Sequence, residues 1–282
     1  MKIGALIFAT DYAVRIDELA KELEARGFES LFVPEHTHIP TSRLSPYPGG
    51  GDLPQEYINS YDPFVSLSFA AAATSKLKIG TGICLLPQRD TIATAKSVAS
   101  LDHLSAGRFL FGIGGGWNKE EMAQHGIGYE QRFARMREQV LAMKSLWTED
   151  VGEFQGDHVN IEPSWLYPKP VSQPHPPVLL GGETDYTLRR VIDYCDGWLP
   201  RGARGADLLE RIARLRELAS EAGRDMSTIS INVFGAKPDA EYLETLRAAG
   251  VERCLLGLPS ADRDKVFSIL DRYQPLLDTF KE

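Results

Sequence analysis

The stretch Phe111-Gly112-Ile113-Gly114-Gly115-Gly116-Trp117-Asn118-Lys119-Glu120-Glu121 carries an apolar run into three consecutive glycines and then into a polar helix start. A strand that ends in glycines and feeds a helix exposes backbone N–H groups with no side chain in the way. The positive end of the helix dipole adds to their pull on an anion. No Gly-Lys-Ser/Thr follows, so the segment is not a P-loop. The spacing Gly112, Gly114, Gly115 also lacks the third glycine, at position 117, of a dinucleotide fingerprint. Taken alone, the glycines serve a tight turn or an anion site equally well.

Working outward, the same strand-then-helix rhythm holds on both sides. Upstream, Ile3–Phe8 is a short apolar run, and Ile16, Leu19, Ala20 and Leu23 follow at helical spacing, closed by Gly27. Ser30–Pro34 reads as the second strand, and a Pro/Gly/Tyr-rich loop covers residues 36–61. Asp62-Pro63 opens a helix as N-cap and first-turn proline. Lys78–Leu86 reads as the third strand, Thr91–Leu104 as a helix, and Arg108–Ile113 as the fourth strand. Downstream, Phe133, Met136, Val140, Met143 and Trp147 mark one buried helical stripe. Residues 151–177 break the rhythm with six of the seventeen prolines and read as an inserted excursion with short strands. Val178–Leu180, Gly197–Pro200, Ile229–Phe234 and Arg253–Leu258 complete the strands. Leu208, Ile212, Leu215 and Leu218 line one helix, Asp239–Ala249 forms another, and Val266, Ile269, Leu270, Tyr273 and Leu277 line the last. Eight strands alternating with helices in one chain imply a single α/β domain over 1–282, a (β/α)8 TIM barrel with an insertion after the fourth helix. A doubly wound sheet, the runner-up, uses fewer units.

The composition, 43% hydrophobic and 25% charged over 282 residues, is that of a globular protein. No apolar run approaches the roughly 18 residues that span a bilayer, and Asp11 and Arg15 cut short the one at the N-terminus. A net charge of −8 without a basic tract argues against nucleic acid or an acidic membrane as partner. Cys84, Cys195 and Cys254 are far apart in apolar surroundings, as expected of buried thiols in a cytoplasmic protein.

In a barrel the functional groups gather at the C-terminal strand ends. There the chain places Glu35-His36-Thr37-His38, Gly80-Thr81-Gly82-Ile83, Gly114-Gly115-Gly116 and Gly181-Gly182-Glu183-Thr184. Two glycine-rich ends can close on one anionic group, and the third lets a flat ring lie against bare backbone. Together they point to a phosphorylated cofactor with a planar ring and to His36 as the nearest proton-transfer group. His36 and His38 also have the spacing of a metal pair. The other histidines (103, 125, 158 and 175) supply none after the fifth strand, so no metal site is expected. A solvated loop histidine is the plain alternative.

The residues from Gly114 to Glu121, with Gly126, Arg132, Glu138, Leu146-Trp147, Phe154, Gly156 and the run Pro176-Pro177-Val178-Leu179-Leu180-Gly181-Gly182, resemble the luciferase-like family of flavin- and deazaflavin-dependent oxidoreductases. The nearest subgroup is the one that uses coenzyme F420. The resemblance implies FMN or F420 at the barrel mouth, with cofactor contacts at Gly82, Ile83, Gly114, Gly115, Gly116, Gly181, Gly182 and Glu183. It also implies a non-proline cis peptide near Gly82-Ile83. In F420-dependent relatives an acid–histidine pair ends the second strand, and Glu35-His36 matches it, with Glu where Asp is commoner. The basic residues of sugar-phosphate-using relatives are missing.

The expected function is therefore hydride transfer between F420 and a small organic substrate, with His36 and Glu35 as catalytic residues. The alternatives are an FMN-dependent monooxygenase fed by a separate flavin reductase, and a non-catalytic flavin-binding protein. Trp117, Trp165, Trp198, Tyr47, Tyr57 and Tyr61 are candidates for the pocket wall, and Arg89, Arg201 and Arg204 for an acidic cofactor tail. Glu120-Glu121 reads as helix-start charge, not as an acid/base dyad. The apolar helix stretch Leu67–Ala73 exceeds one inward stripe, and with the resemblance it points to a homodimer.

Overall fold

The computed structural model describes residues 1–202 and 208–280. In chain order the elements are β1 (Lys2–Leu6), α1 (Ile16–Arg26), β2 (Ser30–Val33), the single turn α2 (Glu56–Asn59), α3 (Pro63–Ala73), β3 (Lys78–Thr81), α4 (Thr91–Leu104), β4 (Phe109–Ile113), α5 (Lys119–Gln124) and α6 (Arg132–Thr148). Then follow β5 (Gly152–Gln155), β6 (Asn160–Ser164), β7 (Val178–Gly181), α7 (Asp185–Tyr194), β8 (Gly197–Leu199), α8 (Leu208–Glu221), β9 (Ser230–Ala236), α9 (Ala240–Ala248), β10 (Arg253–Gly257) and α10 (Arg263–Phe280). Eight strands close in the order β1-β10-β9-β8-β7-β4-β3-β2, and every barrel pairing is parallel. The expected (β/α)8 barrel is the fold.

Local chemistry sets the boundaries. Gly27, at φ 90°, ends α1 and returns its amide to Leu23 and Glu24 carbonyls. The Asp62 carboxylate accepts from the Phe64 and Val65 amides ahead of α3, with Pro63 in the first turn. Asp90 does the same for Ala93 at the start of α4. Met136, Val140, Met143 and Trp147 of α6 are buried against the barrel as their spacing predicts, while Phe133 is only partly covered.

The largest departure from the sequence reading is at the third strand. The third strand stops at Thr81 instead of continuing to Leu86. The chain turns through a cis Gly82–Ile83 peptide, where the family resemblance placed one. The Cys84 amide then bonds to the Gly112 carbonyl, and a short 3-10 turn follows at Leu86–Gln88. The excursion at 151–177 carries the antiparallel pair β5–β6 outside the barrel. Two helix carboxylates hold it: Glu138 accepts from the amides of residues 157–159 in the β5–β6 turn, and Asp102 from the Val171 and Ser172 amides and the Ser172 hydroxyl.

Leu6, Phe32, Leu110, Leu179, Leu199 and Leu255 fill the barrel interior. Its N-terminal end holds Arg253, 2% exposed, whose guanidinium is forked onto Glu29 and bonded to Asn232. At the C-terminal end Ile83 and Phe234 cap the interior and stay partly open to solvent. The barrel core therefore ends in an apolar floor at the mouth.

Candidate active site

His36 leaves β2 at this mouth and is 7% exposed. Its Nδ1 lies 2.7 Å from Glu121 Oε2, and Glu121 is fully buried. The other carboxylate oxygen accepts from the Thr37 amide at 3.1 Å and the Thr37 hydroxyl at 3.3 Å. Asn118 caps α5 by accepting from the Glu121 amide, which fixes the helix turn that aims the carboxylate. On the far side of the imidazole, Trp117 Nε1 donates to His36 Nε2 at 3.3 Å. These partners define the tautomer: Nδ1 carries the proton toward a carboxylate, and Nε2 is the bare nitrogen facing an N–H.

Glu121 is thus the acid paired with His36, which corrects its reading as mere helix-start charge. Glu35 does not meet His36. It is 3% exposed and accepts from the Leu85 amide at 2.7 Å and from Arg89 Nε at 2.7 Å. Arg89 also pairs with Asp62, so both residues brace the β3–α4 segment beside the mouth. The signal that could have revealed Glu121 is the pattern Asn118-x-x-Glu121. In a capping box the glutamate turns back to its own helix start, so the pattern alone gives no hint of a histidine 85 residues earlier.

Aromatic rings surround His36. Tyr57 lies 5.3 Å from it and Trp117 5.7 Å, measured between centroids. Tyr47 touches both Tyr57 (5.2 Å) and Trp117 (6.2 Å), and Phe8 packs on Tyr57 at 4.6 Å. All four are only partly buried, so they form an open wall. Tyr61 is largely exposed, as is Trp165 on the excursion. Trp198 is buried and donates to the Gly182 carbonyl at 2.6 Å.

The glycine ends are brought together, but their missing side chains serve packing more than open space. A Cβ on Gly114 would sit 1.9 Å from Ile83 Cδ1, and one on Gly181 3.3 Å from Ile83 Cγ2. Ile83 therefore rests in a groove that only glycines leave. Gly115 faces the Phe133 ring, at 2.7 Å from such a Cβ, and Gly116 faces Met122. Gly182 is at φ 113°, a conformation that calls for glycine, and it lies against Thr187. Open space appears instead at Gly235 and Gly257, at the ends of β9 and β10.

Of the three arginines expected to meet an acidic tail, Arg89 is engaged as above and Arg201 is forked onto Glu183. Arg204 lies outside the described residues. A different pair stands beside the glycine end of β4. The Arg132 guanidinium stacks on Phe133 at 4.3 Å and that of Arg190 at 3.9 Å, and neither meets a carboxylate among the described residues. Burial, aided by the like charge of Arg132, lowers the pKa of Arg190 from its usual value. Such a pair is suited to an anion.

Among the described residues no helix is long and apolar enough to cross a membrane, and no group of three or more His, Cys, Asp or Glu side chains is arranged to hold a metal.

A family model described as luciferase-like monooxygenase matches residues 5–265. An uncharacterized protein of Mycobacterium tuberculosis is 37% identical over 276 residues, covering 96% of this chain and 97% of its own length. An F420-dependent glucose-6-phosphate dehydrogenase of Kineococcus radiotolerans is 28% identical over 263 residues, covering 88% and 72%. An FMNH2-dependent dimethylsulfone monooxygenase of Pseudomonas putida is 29% identical over 181 residues, covering 63% and 49%. Among solved structures, a monooxygenase from Streptomyces bottropensis superposes with TM-score 0.81 at 19% identity over the whole of both chains. An F420-dependent secondary alcohol dehydrogenase bound to an F420–acetone adduct gives 0.77 at 20% identity, covering 100% and 99%. At those identities the two structures establish the shared barrel.

Proposed function

The chain belongs to the luciferase-like monooxygenase family, and from that premise we propose that it transfers a hydride between coenzyme F420 and a small organic substrate. The observation that carries this reading is the buried Glu121–His36 dyad, with its bare Nε2 turned toward the aromatic wall. When bound, F420 supplies a two-electron hydride donor or acceptor at a ring carbon. The chain supplies the proton chemistry. Glu121 holds His36 in one tautomer, so Nε2 is the atom that takes a proton from a substrate hydroxyl. Once protonated, the same atom returns the proton to a carbonyl oxygen. Because the carboxylate is in contact, the imidazolium is not an unpaired charge in a buried site. Trp117 N–H holds the lone pair of Nε2 until a substrate O–H replaces it.

Features of the mouth support a flat, phosphorylated cofactor. Ile83 and Phe234 offer an apolar floor that keeps water from the ring face, and Gly82–Ile83 would back the ring. The ends Gly114–Gly116 and Gly181–Glu183 would border the phosphate, with Arg132 and Arg190 as counter-charges. Glu35 acts as a positioning residue through Arg89 and the Leu85 amide. The three cysteines are free and buried, in keeping with a cytoplasmic protein. Exposed Val65 and Phe69 of α3, with Ile92 of α4, give a face for a second copy of the chain.

A second reading is an FMN-dependent monooxygenase with a separate flavin reductase, favoured by the Pseudomonas relative. Titrating both cofactors into the apo-protein at one low salt concentration separates the two. F420 should bind tighter than FMN, and the preference should shrink as salt screens the contacts to the acidic tail that F420 alone carries. Equal or tighter FMN binding would replace the first reading with the second.

A further inference from the structure

The charges around His36 are matched almost throughout. Glu121 serves His36 and Thr37, Glu35 and Asp62 hold Arg89, Glu183 holds Arg201, and Glu120 accepts from the Ser45 amide. Arg43 is the arginine of the mouth loop, and it has no such partner among the described residues. Its guanidinium carbon lies 5.9 Å from the centre of the Trp117 ring, whose N–H bonds to His36 Nε2. Nη1 is covered and has no hydrogen-bond partner, and among the described residues the side chain has no carboxylate. Its backbone is at φ 50°, in the left-handed region, which costs a non-glycine residue roughly 1–2 kcal/mol.

The loop does not relax that conformation because it is fixed on the far side. The Ser45 hydroxyl accepts from the Lys119 amide at 3.1 Å, and the Ser45 amide donates to Glu120 at 3.1 Å, tying the loop to the start of α5. A cation–π contact returns only about 0.5–1 kcal/mol at a partly exposed site. A planar fork held in a strained turn beside the aromatic wall is suited to an anion, since guanidinium matches carboxylate and phosphate oxygens two at a time.

We propose that Arg43 recognises an anionic group, carboxylate or phosphate, on the substrate whose oxygen meets His36 Nε2. The body of that substrate would lie on the rings of Tyr47, Tyr57 and Trp117. The proposal rests on the functional reading above, in that His36 and the aromatic wall are taken as the substrate side of the mouth. Its test needs neither cofactor nor turnover.

The full chain, without cofactor, is titrated at low salt with benzoate, with phenyl phosphate and with neutral benzamide, following tryptophan fluorescence. At least one anion should bind about tenfold or more tighter than benzamide, and the arm that does so identifies carboxylate or phosphate. Arg43→Gln should abolish the preference while leaving benzamide binding intact, and Arg43→Lys should keep part of it. Equal binding of all three probes, no binding of either anion at millimolar concentration, or a preference that survives Arg43→Gln would overturn the proposal. Failure of F420 or FMN to bind in the separate cofactor titration would count against the redox reading and leave this result standing.

Discussion

Glu121→Gln changes the dyad without changing its shape, and its consequence can be worked out atom by atom. The carboxylate accepts from His36 Nδ1 on one oxygen and from the Thr37 amide and hydroxyl on the other. A glutamine has one acceptor and one donor for those two places. With its oxygen toward His36, its amide group faces the Thr37 N–H. With the amide toward His36, Nδ1 must become the acceptor, the ring proton moves to Nε2, and that N–H meets the Trp117 N–H. Either way two donors oppose each other where Glu121 is fully buried. A hydrogen bond to a charged group contributes about 1.5–3 kcal/mol, so the melting temperature should fall by about 3–12 °C in a chain of this size. Turnover should fall by about 10²- to 10⁴-fold, the range for lost acid–base help. Heteronuclear NMR of the imidazole nitrogens, with His36→Asn assigning the signal, reads the tautomer directly. The wild type should carry its proton on Nδ1, and the variant should either keep that tautomer with a lowered melting temperature or show Nε2–H, according to which way the amide faces. A wild-type proton on Nε2, or a variant with unchanged spectrum and melting temperature, would refute the reasoning.

Two further outcomes follow from other parts of the molecule. Burial pushes the Glu29 carboxyl up, but Arg253, at 2.6 and 2.7 Å, outweighs it and brings the group from 4.5 down to about 2. The stability this adds, about 3 kcal/mol at most, is complete above pH 4.5 and lost as pH falls toward 2. Glu29→Gln should therefore lower stability at neutral pH and flatten its acid limb, and an acid limb as steep as that of the wild type would remove the assignment. Phe69, 57% exposed on α3 beside Val65 at 59%, should sit in a contact between copies. Light scattering at micromolar concentration should find dimers that Phe69→Asp converts to monomers, and a wild type that is wholly monomeric would end that reading.

The barrel was legible because its signals are local. Asp62-Pro63, Gly27 and the stripe Met136, Val140, Met143, Trp147 each declare a boundary or a face within about three turns. His36 was legible for the same reason, standing at the end of an apolar run. Its acid was not, since nothing near Glu121 in the sequence says which way a helix-start carboxylate turns. Nor does a glycine announce what approaches it: Gly114 and Gly115 show only that side chains are missing, while Ile83 and Phe133 are what come to rest there. The carboxylate partners of the expected basic residues were hidden for the converse reason. Arg89 and Arg201 looked free because their partners, Glu35 and Glu183, arrive from other strand ends.

The two halves of the dyad emerge from the wall at β2 and β4, with β3 between them. Neither element alone nor any adjacent pair of units contains both. During synthesis the histidine leaves the ribosome well before its carboxylate exists, and a chain that stops at the end of α4 has the first without the second. On the proposed reading, proton transfer by this pair would be a property of the assembled wall, and a chain too short to include α5 would lack it.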